Sequence, residues 1–441
     1  MRICHRCYFL FFLNDFEFSV SRKYNGLSFL SGEISDSLSD DDVEYFLKIY
    51  VLLYADDTIV LSESAEELQK ALNAVYDYCN NWKLTVNISK TKVVIFSNGK
   101  VTKFPAFLFG HDIVEVVSEY VYLGVKFFYN ASFLPSINKQ VSQARRAYFA
   151  LMSKIRTLRL PVDLSIELFH QLVLPILLYG CEVWGYSDIE QVEVFYRKFL
   201  KNILQVCANT PTCIVHGETG TMPVLSHVLS RMLTYYARLC NGKQTKLSYI
   251  LYKVLRKKHE SDSDFYSPWI DTVKSWFCHL GMRDFWVNEC SGFSVEYIKQ
   301  AVKLRLSDTH KQQWSAELAE NSACTYYARI KDEPCLEKYL IELDFRKRCI
   351  VAKFRSRSNF LPINHTKLPH VVENDIICPF CDAVCADESH FLLSCPFFDR
   401  ERNLLDNQIC LNENLYNSID NISKSTSFMQ FIMDECQNIL T

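Results

Sequence analysis

Tyr54-Ala55-Asp56-Asp57 places two adjacent carboxylates between two apolar stretches, residues 45–53 and 58–61. Both stretches are rich in residues that favour β-strands. Aspartate is common in turns because its side chain accepts hydrogen bonds from nearby backbone N–H groups. The pattern therefore predicts a tight hairpin with Asp56 and Asp57 at its tip, where their oxygens could bind a divalent cation. A solvated acidic turn is the alternative interpretation.

The tetrapeptide resembles the active-site motif of reverse transcriptases, and the residues after it resemble the LINE-type branch, that of the non-LTR retrotransposons. The resemblance implies a polymerase that joins a primer 3′-hydroxyl to a deoxynucleoside triphosphate. It implies that Asp56 binds Mg²⁺ and that Asp57 supports it, with Tyr54 and Ala55 as motif neighbours. Two-metal phosphoryl transfer needs carboxylates from at least two chain segments, so this pair is one part of a site.

A helix is expected directly after the hairpin, because Ser64 and Glu67 have the spacing of a capping box. Apolar residues then recur at helical intervals and define one face of the predicted helix. That face comprises Leu68, Leu72, Val75, Tyr76 and Cys79. The sequence therefore predicts a helix packed under the hairpin.

Two further segments extend the resemblance. Residues 82–96 predict a turn followed by a strand, and Lys90 matches a family lysine that assists the departing pyrophosphate. A lysine there could donate a proton or neutralise developing charge, although an ordinary surface lysine is the alternative. Lys92 joins the candidate nucleic-acid-binding residues. Residues 120–126 resemble the family hairpin that grips the primer, where Gly124 would allow close backbone approach.

The next part of the chain resembles the helical thumb of these polymerases. Residues 142–159 predict a helix with a basic face that includes Arg145 and Arg146. Residues 174–185 match a thumb signature, and a helix over 192–206 repeats the basic pattern. Basic helix faces suit a phosphate backbone, although a charged helix face is more often simply solvated.

Near the other end, Cys378, Cys381, His390 and Cys395 have the order and spacing of a tetrahedral zinc site. The first two would lie in a turn, and residues 390–395 would form a short helix. Cys385 could compete as a ligand, and scattered core thiols are the alternative. LINE-type proteins end with a zinc-knuckle-like segment of similar spacing, so the resemblance also implies structural Zn²⁺.

The segment before this cluster, residues 345–357, is strongly basic and carries interleaved phenylalanines. Cations for phosphates and rings for unstacked bases favour an RNA-binding strip. A basic amphipathic helix packed on the zinc module is an equal alternative. The candidate RNA-binding residues are Arg346, Lys347, Lys353, Arg355 and Arg357.

Composition is compatible with a folded protein of two to four domains, since 49% of the 441 residues are hydrophobic. The net charge of −3 is small, and base and acid collect in separate segments, so local fields matter more than the total. The 18 cysteines, without a convincing secretory signal, indicate reduced thiols and an intracellular protein, cytoplasmic or nuclear. No apolar run is long enough to span a membrane.

The predicted fold class is α+β, with a small remnant of a polymerase palm, formed by an antiparallel hairpin and a helix. A mainly α-helical thumb and connector and a small zinc module would follow it. The predicted divisions are a truncated palm at 1–130, a thumb at 131–235, a connector at 236–343, a basic segment with the CCHC module at 344–400 and a helical tail at 401–441.

The resemblance begins late in the family pattern, because the strand whose aspartate completes the metal site is not among these residues. We therefore expect an N-terminally truncated reverse transcriptase with little or no polymerisation of its own, whose partners are an RNA template and a DNA primer or target. A non-catalytic nucleic-acid-binding protein is a second hypothesis. A relic without a selected role is a third.

Overall fold

The computed structural model describes residues 16, 19, 22–24, 26–28, 48–49, 51–54, 57–99, 103–261, 265–358, 361, 371–372, 375–384, 388–406 and 415–440. Helices and small sheets both occur, which confirms the mixed α+β class predicted from the sequence. Among these residues, no helix combines the length and the apolar character that crossing a bilayer requires. Two compact units divide the chain. The first comprises Met1–Ser136, Tyr236–Ser275 and Asn288–Ser291, and the second comprises Ile137–Tyr235, Trp276–Val287 and Gly292–Thr441.

The described strands of the first unit form small separate sheets. Strand β1 (Leu27–Ser28) pairs antiparallel with β2 (Lys48–Ile49), and β3 (Val51–Tyr54) pairs antiparallel with β4 (Asp57–Val60). A three-stranded sheet has the order β5 (Lys92–Val94), β7 (Asp112–Val117), β6 (Phe107–Phe109), with β5 parallel to β7 and β6 antiparallel to it. Strands β8 (Glu119–Tyr122) and β9 (Val125–Phe128) form a further hairpin. The pairing of β3 with β4 confirms the predicted hairpin around residues 54–57.

Helix α1 (Ala65–Asn81) follows the first hairpin and supplies much of the core of this unit. The Ser64 hydroxyl accepts a hydrogen bond from the Glu67 N–H at 3.2 Å, which confirms the predicted N-terminal cap. Leu72, Val75 and Cys79 are buried as expected. Tyr78 is also buried and packs edge-on against Phe16, whereas Tyr76 is only partly covered.

Polar contacts fix α1 on the three-stranded sheet. The Gln69 side-chain amide donates to the Leu108 carbonyl at 2.8 Å and accepts from the Leu108 N–H at 2.9 Å. The amide therefore satisfies a backbone donor and a backbone acceptor of β6 together. Gly110, at a φ of +64°, lies under the Tyr76 ring, where a Cβ would be 2.3 Å from the nearest ring carbon. Glycine is thus required there by both conformation and space.

The helices of the remaining chain range from 4 to 26 residues. Those between residues 134 and 219 are α2 (Leu134–Leu158), α3 (Val162–Leu172), α4 (Leu174–Leu177), α5 (Cys181–Trp184), α6 (Glu190–Leu204) and α7 (Thr212–Thr219). Those that follow are α8 (Val224–Cys240), α9 (Leu247–Ser261), α10 (Pro268–His279), α11 (Arg283–Val287) and α12 (Val295–Glu320). The last are α13 (Thr325–Ile330), α14 (Tyr339–Glu342), α15 (Phe345–Arg355), α16 (Asp399–Asp406) and α17 (Ile419–Leu440).

Aromatic residues pack between helices of the second unit. The rings of Phe169 on α3 and Phe199 on α6 stack with centroids 4.1 Å apart. Trp184, at the end of the predicted thumb signature, is fully buried, and its indole N–H donates to the Tyr179 carbonyl at 2.9 Å. Trp184 and the leucines of the signature are therefore core residues, whereas Tyr179 and Val183 are about half exposed, and Gly180 permits the turn at a φ of +74°.

Candidate catalytic hairpin, basic surfaces and metal cluster

The first hairpin positions one of the two predicted catalytic carboxylates. In β3 and β4, Tyr54 pairs with Asp57, so only Ala55 and Asp56 separate the two strands. Asp57 begins β4 and is exposed, which leaves its carboxylate accessible to solvent and ions. Ala55 and Asp56 lie outside the described residues, as does the side chain of Tyr54. Hairpin geometry thus supports a tip that carries the Asp pair.

Lys90 lies in the turn that precedes β5, and its side chain is exposed. Its backbone N–H donates to the Asn87 carbonyl at 3.1 Å, and its own carbonyl accepts from the Tyr120 hydroxyl at 3.3 Å. Lys90 and Tyr120 also line one open cleft together with Lys92 and Glu119. The fold therefore brings the candidate lysine beside the predicted primer-grip hairpin, two segments that the sequence alone left unconnected.

The structure gives Lys92 and Gly124 roles that differ from those predicted from the sequence. Lys92 forms a 2.6 Å ion pair with Glu115 on the adjacent strand, so a phosphate would have to compete for its ammonium group. Gly124 lies in the two-residue turn of the β8–β9 hairpin at a φ of +86°, after Leu123 at +47°. Such turns need positive φ at both positions, which explains the glycine through the turn itself.

The basic face predicted for the thumb lies on α2. Arg145 and Arg146 are both exposed on this helix. Helix α2 contains five lysines and arginines and no acidic residue, so its potential is positive along its length. Phe149 is 65% exposed within one turn of both arginines. Phe149 could not be identified from the sequence, because only its exposure in the structure distinguishes it from phenylalanines of the core.

The second basic segment forms α15, which Asp344 caps by accepting hydrogen bonds from the Arg346 and Lys347 N–H groups. The side chains of Arg346 and Lys353 are exposed. The Lys347 ammonium donates to the Ser423 hydroxyl at 2.7 Å, which ties α15 to α17. Arg357 is partly buried, 3.6 Å from the Glu388 carboxylate. Only part of the predicted strip is therefore presented to solvent.

Arg355 corrects the prediction made from the sequence. It is only 1% exposed, and its guanidinium donates to both oxygens of Glu218, the shortest contact being 2.8 Å. A further hydrogen bond reaches Glu337 at 3.1 Å, and the Tyr416 ring lies 4.6 Å away. The assignment of Arg355 to RNA binding is wrong, because its donors are consumed inside the core. Sequence periodicity could not show this, since the partner lies 137 residues away.

Charge pairing controls the ionisation of this buried network. Burial alone would raise the pKa of Glu218, but the charge and hydrogen bonds of Arg355 outweigh it and hold that pKa below its usual value. The Tyr339 hydroxyl donates to the same carboxylate. The pKa of Arg355 shifts in the opposite direction: burial alone would lower it, but the Glu218 charge outweighs burial and raises it. Both groups therefore stay ionised in the core.

Cys378, Cys381, His390 and Cys395 come together, with all four ligand atoms within 4.8 Å of one another. The Sγ atoms of Cys378 and Cys395 are 3.8 Å apart, and Cys381 Sγ lies 3.4 Å from His390 Nε2. Tetrahedral zinc ligands at ordinary bond lengths are about 3.5 to 3.8 Å from one another. The donor set and its dimensions therefore fit Zn²⁺.

Local structure explains why these four side chains converge. The Cys378 N–H donates to the Ala383 carbonyl at 2.8 Å, which closes the turn that carries Cys381. A short helical turn over His390–Ser394 places His390 beside Cys395, whose N–H donates to the His390 carbonyl at 2.7 Å. Burial raises the pKa of the Cys395 thiol to about 12. A bound cation would stabilise the thiolate and so lower this pKa. Cys385, the competing thiol, lies outside the described residues.

The N-terminal part of the chain, which includes the hairpin of β3 and β4, is similar to known proteins. Residues 8–127 match the reverse transcriptase (RNA-dependent DNA polymerase) family. The chain is 26% identical over 166 residues to the RNA-directed DNA polymerase from mobile element jockey of Drosophila melanogaster. It is 23% identical over 170 residues to the jockey polymerase of Drosophila funebris. A transposon-derived protein of Caenorhabditis elegans is 27% identical over 163 residues.

These similarities agree with the resemblance found in the sequence: residues 8–127 are similar to reverse transcriptases, and the relatives include polymerases of a mobile element. Each alignment covers 35% of the chain. The aligned part spans 18% of each jockey polymerase and 56% of the Caenorhabditis elegans protein. The comparisons therefore characterise one segment of the chain and a small part of the polymerases.

Proposed function

We propose that this chain is part of an RNA-directed DNA polymerase that extends a primer on an RNA template. The observation that carries the proposal is the hairpin of β3 and β4, which frames the Tyr54-Ala55-Asp56-Asp57 motif within the segment that matches reverse transcriptases. Carboxylate oxygens are the ligands that Mg²⁺ prefers, so Asp56 would bind the ion and Asp57 would support it. The bound ion would neutralise charge on the reacting phosphates.

Lys90 is the proposed partner of the leaving group. Lys90 is exposed and lines a cleft together with Tyr120 and Glu119. A cation at this place can neutralise charge that develops on pyrophosphate or donate a proton to it. Replacement by methionine keeps much of the side-chain length and removes the charge. We expect Lys90→Met to lower the rate of extension more than the affinity for the primer-template.

Primer extension with purified protein, an RNA template and Mg²⁺ tests the proposal. Template-dependent synthesis that Asp56→Ala abolishes would support it, and synthesis that persists in Asp56→Ala would contradict the assigned site. A two-metal site needs carboxylates from at least two chain segments, so Asp56 and Asp57 would form one part of it. Primer-template binding without any extension would favour the second candidate function.

That second candidate is nucleic-acid binding without catalysis. The acid-free helix α2, with Arg145 and Arg146 exposed, supports it, as do Arg346 and Lys353 on α15. Each phosphate contact releases counterions, so affinity should fall steeply as salt is raised. We expect the double variant Arg145→Ala/Arg146→Ala to weaken binding and to reduce the salt dependence. Binding that ignores both salt and these replacements would contradict it.

Matched controls separate local contacts from total charge. Lys243 and Lys274 are exposed and lie outside α2 and α15. The double variant Lys243→Ala/Lys274→Ala removes the same charge as the double arginine variant. We expect it to bind RNA with nearly the affinity of the unmodified chain, because general attraction contributes less than direct phosphate contacts.

We further propose that the four-residue Cys/His cluster binds structural Zn²⁺. Three thiolates and one imidazole support this choice, because their ligand atoms all lie within 4.8 Å of one another and two of the separations are 3.4 and 3.8 Å. All four positions would be filled by protein ligands, which is typical of structural and not catalytic zinc. Elemental analysis of the purified protein should give one zinc per chain.

A further inference from the structure

A column of aromatic rings leads from the core of the second unit to its surface. Phe277 is fully buried, and its ring centroid lies 6.3 Å from that of Phe285. Phe285 contacts Phe293 at 5.0 Å with the two rings near perpendicular. Phe293 then stacks on Tyr297 at 5.4 Å, with only 16° between the ring planes. The outer rings are therefore held in place by contacts that continue into the core.

The outer two rings remain substantially exposed. Phe293 is 45% exposed and Tyr297 is 53% exposed, and Leu304, two turns further along α12, is 64% exposed. Two nearly parallel exposed rings have the geometry by which aromatic side chains stack on planar ligands. Phe293 contacts Phe285 on its inner side and stacks on Tyr297 on its outer side, so Tyr297 is the member that can extend the stack.

The charges around Tyr297 favour an anionic ligand. Arg305 is exposed on the same helix, about two turns from Tyr297 and roughly 80° around the helix axis from it, whereas the exposed Lys303 lies on a different face. The nearest acid on the helix, Glu296, forms an ion pair with Lys299 at 3.2 Å, which reduces its repulsion of a phosphate. Exposed rings beside cations are the combination with which proteins bind single-stranded nucleic acid.

We propose that Tyr297 stacks an unpaired base of single-stranded RNA while Arg305 contacts a neighbouring phosphate. The inference rests on the proposed nucleic-acid function and adds a site in the region predicted only as a connector. Unpaired bases are required, because the faces of paired bases are already stacked within a duplex. A protein partner that uses the same apolar surface would not need an aromatic ring at position 297.

Binding of a fluorescent unstructured RNA to the full chain tests this site, with Tyr297→Leu as the main variant. Stacking on one base contributes roughly a 5- to 100-fold gain in affinity, so Tyr297→Leu should lose an amount in this range. Tyr297→Phe keeps the ring and should bind like the unmodified chain. A fully paired RNA should bind all three proteins equally.

A photocrosslinking experiment gives an independent readout. Irradiation of the complex should join RNA to the peptide that contains Phe293 and Tyr297, and mass spectrometry locates the bond. If RNA binds through Arg145 and Arg146 but Tyr297→Leu has no effect and no crosslink forms there, the stacking site is wrong and the proposed function stands. If RNA does not bind at all, both proposals fail. Equal losses in Tyr297→Leu and Tyr297→Phe would also overturn the stacking role.

Discussion

Arg355 and Glu218 form a buried bidentate ion pair that joins the C-terminal end of α15 to α7. The side chains of both residues are 1% exposed, and two guanidinium nitrogens reach the carboxylate at 2.8 to 3.2 Å. The Glu218 carbonyl also accepts from the Glu337 N–H at 3.1 Å, which holds the second acid near the same arginine. The pair thus links chain segments that are far apart in sequence.

We expect Arg355→Ala to destabilise the protein by about 3 to 5 kcal/mol, because Glu218 would be left charged and unpaired in the core. Urea unfolding followed by circular dichroism measures the change. Lys353→Ala is the matched control, since Lys353 is an exposed cation on the same helix, and its change should stay within about 0.5 kcal/mol. Similar losses in the two variants would refute the structural role of Arg355.

A second prediction concerns pH and rests on His216. Burial, with a smaller effect from nearby His310, lowers the pKa of His216 to about 3 in the folded protein. An unfolded histidine binds its proton near pH 6.5. Between these values the unfolded state holds more protons, so stability should fall as pH is lowered, by up to about 1.4 kcal/mol per pH unit.

Equilibrium unfolding at several pH values between 7 and about 4 tests this slope. His227 adds to it in the same direction, because burial lowers its pKa to about 4. His216→Gln removes one titrating group and should flatten the curve. His111→Gln is the control for the substitution itself, since His111 is exposed. A slope that is the same in all three proteins would contradict the assignment.

A third prediction concerns the cap of α1. Ser64→Ala removes the acceptor of the Glu67 N–H and should cost about 1 kcal/mol. Ser64→Asp should retain the stability, because aspartate is an equally good cap. Thermal unfolding of the three proteins provides the comparison. Equal melting temperatures for Ser64→Ala and the unmodified chain would show that the cap contributes nothing.

Local patterns were sufficient to predict the hairpin, the cap at Ser64 and the convergence of Cys378 with His390. Each depends on residues within about twenty positions, where spacing determines geometry. The burial of Arg355 could not be predicted, because its partner Glu218 lies in a helix that is distant in the sequence. A run of basic residues has the same sequence pattern whether it is exposed or buried. The stack of Phe293 on Tyr297 was missed for a related reason. Phe293 precedes Ser294, the N-cap of α12, so helical spacing alone predicts neither that the rings meet nor that the pair remains exposed.

The last prediction concerns the Cys/His cluster. Cys381→Ser replaces a thiolate ligand with a poor one, so zinc content should fall and the melting temperature should drop by several degrees. Cys278→Ser is the matched control, because Cys278 is exposed and lies outside the cluster. A strong zinc chelator should lower the melting temperature of the unmodified chain and of Cys278→Ser equally, and should change Cys381→Ser less. If the chelator affects none of the three proteins, or if Cys381→Ser retains its zinc, the cluster consists of free core thiols and the metal assignment is wrong.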